Sequence, residues 1–308
     1  MEPEMTDRID AHQHFWDPAR RFPLVDSWLQ GAVTYGWSEA GLPQLNRPFL
    51  PVHLEHELSG VGVGHTIAVQ AINSIGETRW LLELSDENPS IAGVVGWIDL
   101  AQPSELVQHD LDRLRHPKLV GVRHLVQFEP DPGWLLRPNV LAGLRLLAAA
   151  GLPYDLLVTA AHLPLLPELS AAVPDLVMVI DHAAKPQIRD GLIDPWERDI
   201  RAAAENPMIS CKLSGLVTEA DHERWTGADL RPYIEVVADA FGVHRVMFGS
   251  DWPVCTLAAT YGQVAAALDE ELGRILAGDA AAERAIFREN ALRVYALEGL
   301  AAVQPGSA

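Results

Sequence analysis

Two histidines one residue apart, His12 and His14, stand just after Asp10 near the start of the chain. On an extended strand, alternate side chains share a face, so both imidazoles point the same way with Asp10 below them. Such a pair can hold a metal ion or polarise a carbonyl. It can also be merely structural. Further polar groups recur at the ends of short apolar runs: Arg123 or His124, Tyr154 or Asp155, His182 with Lys185 three residues on, Lys212, and Asp251. One carboxylate and three imidazoles suit general-base activation of water, with hydrogen-bond donors around a carbonyl. His12, His14, His182 and Asp251 are also a reasonable nitrogen and oxygen set for one zinc or manganese ion.

The elements that must position these groups alternate strand, loop and helix. Strands are expected at residues 8–14, 65–71, 91–98, 119–125, 153–158, 176–181, 208–213 and 245–249. Helices are expected at 76–87, from Pro103, at 138–150 closed by Gly151, at 257–276 and at 280–296. Apolar runs such as T-I-A-V (66–69) suit strands buried on both faces. Eight such units close into a (β/α)8 TIM barrel of the α/β class, a single domain over residues 1–308, with chemistry at the C-terminal strand ends. A doubly wound open sheet is the alternative, but no G-x-G-x-x-G follows the first strand. Residues 17–52 form a long loop rich in Pro, Gly and Trp, either a lid or a surface extension packing the helices. Lys212 either binds substrate or pairs with a carboxylate. Tyr154 faces the pocket or fills the barrel, and Asp155 then points toward the helices. Trp16, Trp97 and Trp252, close to strand ends, either stack on a substrate ring or fill the barrel top. The other eight histidines are scattered and read as surface or packing residues.

The segments D-A-H-Q-H-F-W-D (10–17), G-V-R-H (121–124), I-D-H-A-A-K-P (180–186) and F-G-S-D-W-P (248–253) resemble the amidohydrolase superfamily, and within it the sugar lactonase branch. That branch includes fucono-, rhamnono- and galactono-lactonases and a pyrone-dicarboxylate lactonase. The resemblance runs from Ile9 to about Tyr295. It implies a distorted barrel that hydrolyses a cyclic ester. Asp251 is then the general base, His12, His14 and His182 surround the carbonyl, and Arg123, Lys185, Tyr154, Lys212, Trp16 and Trp252 are candidates for substrate binding. Two-metal members need a bridging Lys or Glu at the end of strand four, where this chain has Arg123 and His124, so two metals are excluded. Esters are more electrophilic than amides, and Arg123, Lys185 and Lys212 would repel a dication. The reading is therefore a metal-independent lactonase, with one divalent ion as the alternative. A metal-dependent decarboxylase of the same superfamily and a non-catalytic sugar-acid binding protein are the rivals. No Ser lies in G-x-S-x-G, which argues against a serine hydrolase.

Composition narrows the partners. Against 42 acidic residues stand 23 Lys and Arg, a formal charge of −19, which repels phosphate backbones and anionic lipid. The expected partner is a small-molecule sugar lactone, not nucleic acid or membrane; the oligomeric state is undetermined. Two cysteines, Cys211 and Cys255, are too few for a disulfide framework, and residues 1–7 have no apolar core, so a cytoplasmic location is expected.

Overall fold

Eight parallel strands follow one another around a single sheet in sequence order. They are β1 Arg8–Gln13, β2 Val63–Val69, β3 Ile91–Gly96, β4 Leu119–His124, β5 Tyr154–Leu156, β6 Met178–Ile180, β7 Ile209–Leu213 and β8 Val246–Phe248. The computed structural model describes residues 8–23, 32–37, 40–58, 60–297 and 300. All eight strands expected from the sequence are present, several shorter at one or both ends. Strand pairing stops where side chains turn to the site. Between β1 and the segment after β8 the backbones form no ladder, but a parallel bridge of Gln13 with Trp252 and two backbone–backbone bonds: Asp251 N–H to the His12 carbonyl (2.8 Å) and His14 N–H to the Trp252 carbonyl (2.7 Å). The barrel is thus nearly closed, and its seam runs through the residues singled out for chemistry.

Helices wrap the strands in the expected alternation, and Pro138–Ala150 has the expected bounds, closed by Gly151 at φ 69°. That left-handed terminus favours glycine, which carries no Cβ. Ile75–Glu87 begins at Ser74, whose hydroxyl accepts the Glu77 N–H. Pro103 lies one residue outside its helix, Ser104–Arg113. The last expected helix is not uniform: Ala280–Arg284 and Asn290–Val294 flank a π-helical turn, Ala285–Glu289. Beyond it Tyr295 joins an inner apolar cluster with Ile9, Ile67, Val95, Val179 and Met247. The C-terminal segment therefore packs into the barrel interior, where the sequence indicated only a helix over 280–296.

Within residues 17–52, the described portion holds an antiparallel pair, Phe22–Pro23 with Ala32–Val33, and a 3-10 turn, Pro43–Leu45. Trp28 lies outside the described residues. Among the described residues no helix is long and apolar enough to cross a membrane.

Candidate active site

The strand ends bring His12, His14, His182 and Asp251 together. Asp251 Oδ1 lies 3.3 Å from His14 Nε2, 3.8 Å from His12 Nε2 and 4.0 Å from His182 Nε2. All four side chains are buried. Burial pushes the Asp251 carboxyl up, but the imidazoles of His182, His14 and His12 outweigh it and hold the group below the ordinary carboxylate range. Burial depresses His182 to about 4, against the pull of Asp251 and Asp181. At neutral pH the carboxylate is therefore charged and the His182 ring is neutral.

Hydrogen-bond inventory fixes His12. Arg123 Nη1, which can only donate, lies 3.2 Å from His12 Nε2. Nε2 therefore accepts, and Nδ1 carries the hydrogen that reaches Asp181 Oδ1 at 3.1 Å. Lys212 Nζ also lies 3.2 Å from Nδ1, but two carboxylates, Asp155 (2.6 Å) and Asp181 (3.1 Å), are stronger acceptors for its hydrogens. Both nitrogens of His14 face acceptors, Nδ1 the Val69 carbonyl at 2.7 Å and Nε2 Asp251. A shared proton or a cation between Nε2 and the carboxylate satisfies that arrangement. His182 Nδ1 meets the Ser214 hydroxyl at 2.9 Å.

Asp10 does not lie below the histidines. Its carboxylate accepts His12 N–H (3.0 Å), Ser250 N–H (2.9 Å), the Ser250 hydroxyl and the Tyr261 hydroxyl (3.0 Å), the last from a surrounding helix. The pairing register slips between Asp10 and Gln13, which breaks simple alternation. Asp10 thus clamps β1 to the segment carrying Asp251 at the seam that lacks a ladder.

The parity expected on β5 is inverted. Asp155 points inward, to Lys212 and to the Tyr295 hydroxyl (2.9 Å), whereas Tyr154 is buried in the layer between strands and helices and does not line the cavity. The buried Lys212 cation explains the inversion, because it needs a carboxylate partner and a phenol supplies none. Lys212 pairs with carboxylates and is also absent from the cavity lining. Trp252 packs edge-on to Phe15 and Phe49, and Trp97 donates to His124 Nδ1. Arg123, Lys185 and Trp16 do reach the cavity, whose volume is about 420 Å3. Its wall includes Tyr35, Trp37 and Leu42, so part of the 17–52 loop lines the site.

Backbone strain concentrates here. His182, Ala183, Ala184 and Lys185 all have φ between 49° and 56°, and Asp251 has φ 57°. A left-handed residue with a Cβ costs about 1–2 kcal/mol, so the surroundings must hold this turn. Trp196 Nε1 donates to the Ala183 carbonyl at 2.7 Å, and Lys185 pairs with Glu219 at 3.3 Å. Gly215, at φ 61°, passes so close that a Cβ would lie 2.6 Å from His182 Nδ1 and 3.0 Å from Asp251 Oδ2. Gly215→Ala is expected to displace both groups and lower kcat about 100-fold with the fold retained. Kinetics alongside circular dichroism test this; near-normal kcat would refute the packing argument.

A family model described as amidohydrolase matches residues 9–297. The chain belongs to the amidohydrolase family. Within that family it is similar to an L-fucono-1,5-lactonase of Burkholderia ambifaria, 37% identical over 301 residues, covering 96% of this chain and 97% of the relative. A Burkholderia multivorans L-fucono-1,5-lactonase is 39% identical, covering 94% and 96%. A solved amidohydrolase from Burkholderia multivorans with bound zinc superposes with TM-score 0.84 at 37% identity, covering 94% of this chain and 99% of that one.

Donor types in this amidohydrolase fit one divalent ion. His12, His182 and Asp251 offer ligand atoms within 4.8 Å of one another, and the Nδ1–H bond of His12 to Asp181 is the support that metal-bound histidines use. An ion on His12 Nε2 would have to displace Arg123. Several groups that shape the site were not singled out by the sequence: Asp181, Ser214, Gly215, Tyr35 and Glu77. Asp181 adjoins His182 in the D-H-A-A-K-P segment, the one signal that pointed to it.

Glu77 is fully buried, and desolvation pushes it up to about 8 from an ordinary 4.5, against hydrogen bonds from Ile72, Tyr35 and Ala71. Between those values the folded protein holds a proton that the unfolded chain has released. Stability from this group is therefore greatest at low pH and is lost as pH rises toward 8. His182 acts oppositely, but only below its unfolded value of 6.5. Between pH 6.5 and 8 the wild type is expected to lose about 2 kcal/mol that Glu77→Gln does not lose. Thermal denaturation across that window checks it; parallel pH slopes would contradict it.

Proposed function

We propose that this amidohydrolase opens a sugar lactone, an aldonolactone such as L-fucono- or L-rhamnono-lactone, by Asp251-activated attack of water on the ester carbonyl. The observation that carries the reading is one charged carboxylate 3.3–4.0 Å from three imidazoles beside an aromatic-walled cavity. Similarity to two L-fucono-1,5-lactonases over nearly the whole chain supports it.

In the proposed reaction Asp251 takes a proton from water as oxygen attacks the carbonyl carbon. A carboxylate of low basicity suffices, because the water becomes acidic only as the new C–O bond forms. With Ser214 donating to His182 Nδ1, Nε2 carries the hydrogen and points toward the carbonyl oxygen. The Arg123 guanidinium, fixed by Asp181 and by the Gln70 carbonyl, adds positive charge at the developing oxyanion. The tetrahedral intermediate then collapses, the ring C–O bond breaks, and Asp251 returns its proton to the departing ring oxygen. The product is the open hydroxy acid.

One divalent ion on His182, Asp251 and His12 would add Lewis-acid polarisation of the carbonyl. We propose that the reaction does not depend on it, since Arg123 already places a cation against His12. The cations reaching the cavity are already paired, Arg123 with Asp181 and Lys185 with Glu219, which favours a neutral polyol over a dicarboxylate. A pH-indicator screen of aldonolactones, with and without prolonged chelation, tests both statements. Turnover of at least one lactone, within about twofold after chelation, is expected. Turnover abolished by chelator and restored by zinc would overturn the metal-independent reading, and no turnover of any lactone would overturn the function.

A further inference from the structure

Behind the cavity wall lies a carboxyl group that the proposed mechanism does not use. Glu77 is fully buried, yet its four contacts all reach residues at the cavity. Oε1 accepts the Tyr35 hydroxyl at 2.8 Å and the Ala71 N–H at 3.2 Å; Oε2 accepts the N–H groups of Ala71 and Ile72, both at 3.1 Å. Tyr35 comes from the segment 32–37, Ala71 and Ile72 from the exit of β2. The Tyr35 ring lies 6.3 Å from Trp16, which packs at a tilt of 39° against Trp37 with ring centres 4.5 Å apart. The other side of the same β2 exit holds catalytic groups. The Val69 carbonyl accepts from His14 Nδ1, and the Gln70 carbonyl accepts from Arg123 Nη2.

We infer that Glu77 is a positioning residue that sets substrate affinity and selectivity by latching the aromatic wall, through the Tyr35 hydroxyl, to the strand exit that aims His14 and Arg123. This rests on the lactonase reading and adds to it the device that fixes the distance between the wall and the reacting centre. The flat faces of Tyr35, Trp37 and Trp16 suit the C–H face of a neutral sugar ring, and a ring gripped there is held at one depth above Asp251. A carboxyl group is suited to the latch because its two oxygens meet three donors at once, the Tyr35 hydroxyl and the N–H groups of Ala71 and Ile72.

The two contacts of the latch can be cut separately. Tyr35→Phe keeps the ring and its neighbours but deletes the hydroxyl. With the wall free to leave its position, only a fraction of molecules is competent to bind, and apparent affinity falls by that fraction. KM for the best lactone is expected to rise about five- to tenfold, with kcat within about twofold, the pattern of lost uniform binding. Glu77→Gln disturbs the backbone N–H groups of the β2 exit as well, so KM is expected to rise and kcat to fall about tenfold or more. Discrimination between lactones of different ring substituents should narrow in both. Hydrogen exchange of residues 32–37 in the free protein provides a readout independent of turnover and should speed up in Tyr35→Phe.

A KM unchanged within twofold in both variants overturns the proposal, even if both melt at lower temperature. So does a fall in kcat with unchanged KM in Tyr35→Phe, or unaltered exchange in residues 32–37. If the wild type opens no lactone, the functional reading fails and the positioning role fails with it; faster exchange in Tyr35→Phe would then mark a structural contact only. A wild type that turns over lactone while Tyr35→Phe behaves identically separates failure of the latch from failure of the function.

Discussion

Asp251→Asn is expected to lower kcat/KM for a lactone by about 10²–10⁴-fold while Tm shifts by only a few degrees. Asparagine matches aspartate in shape, so the loss isolates charge and proton acceptance. The imidazoles of His12, His14 and His182 lie within 4.0 Å of Oδ1, and among the described residues no other carboxylate pairs with all three. Asp181, the nearest alternative, is committed to His12, Arg123 and Lys212. The pH profile of the wild type carries the same information. With Asp251 held below the ordinary carboxylate range and His182 near 4, the acid limb should fall below about pH 5, not near the 6.5 of a free histidine. Turnover by Asp251→Asn at the wild-type rate would remove the base from the mechanism.

Lys212→Met should give the largest loss of stability. Lys212 is completely buried between Asp155 (2.6 Å) and Asp181 (3.1 Å), and Tyr295 closes the group from the barrel interior. Burial pushes Asp155 up to about 6 although Lys212 pulls it down; for Asp181, His12, Lys212 and Arg123 together overcome burial and hold it well below its usual range. Removing the lysine strands two carboxyls on one remaining cation. Breaking a buried pair in this way costs about 3–5 kcal/mol, or roughly 6–15 °C in Tm for a chain of this size. Combining Lys212→Met with Asp155→Asn removes the charge on both sides, so the double variant should lose less than Lys212→Met alone. A double variant no more stable than the single one would show that packing, not charge, holds this centre. Activity should fall in Lys212→Met too, because Asp181 orients the His12 ring.

The order of strands and helices was legible because the strands are short apolar runs closed by turn residues, and some helices carry a start or stop signal, as Pro103 and Gly151 show. The gathering of His12, His14, His182 and Asp251 was legible for the same reason. In a parallel barrel every strand delivers its C-terminal residue to one face, so position along the chain fixes position in the site. Which of two adjacent residues turns inward was not legible. Asp10 and Asp155 both broke the expected alternation, Asp10 at a register slip and Asp155 on a strand of three residues, because their partners come from β7, the segment after β8 and the C-terminal segment. The left-handed turn at His182–Lys185 and the Glu77 contact with Tyr35 were likewise set by distant groups. Local preference reads a residue against its sequence neighbours. A buried charge is placed by whatever counter-charge or donor the fold brings within about 3 Å, and only the folded chain supplies that neighbour.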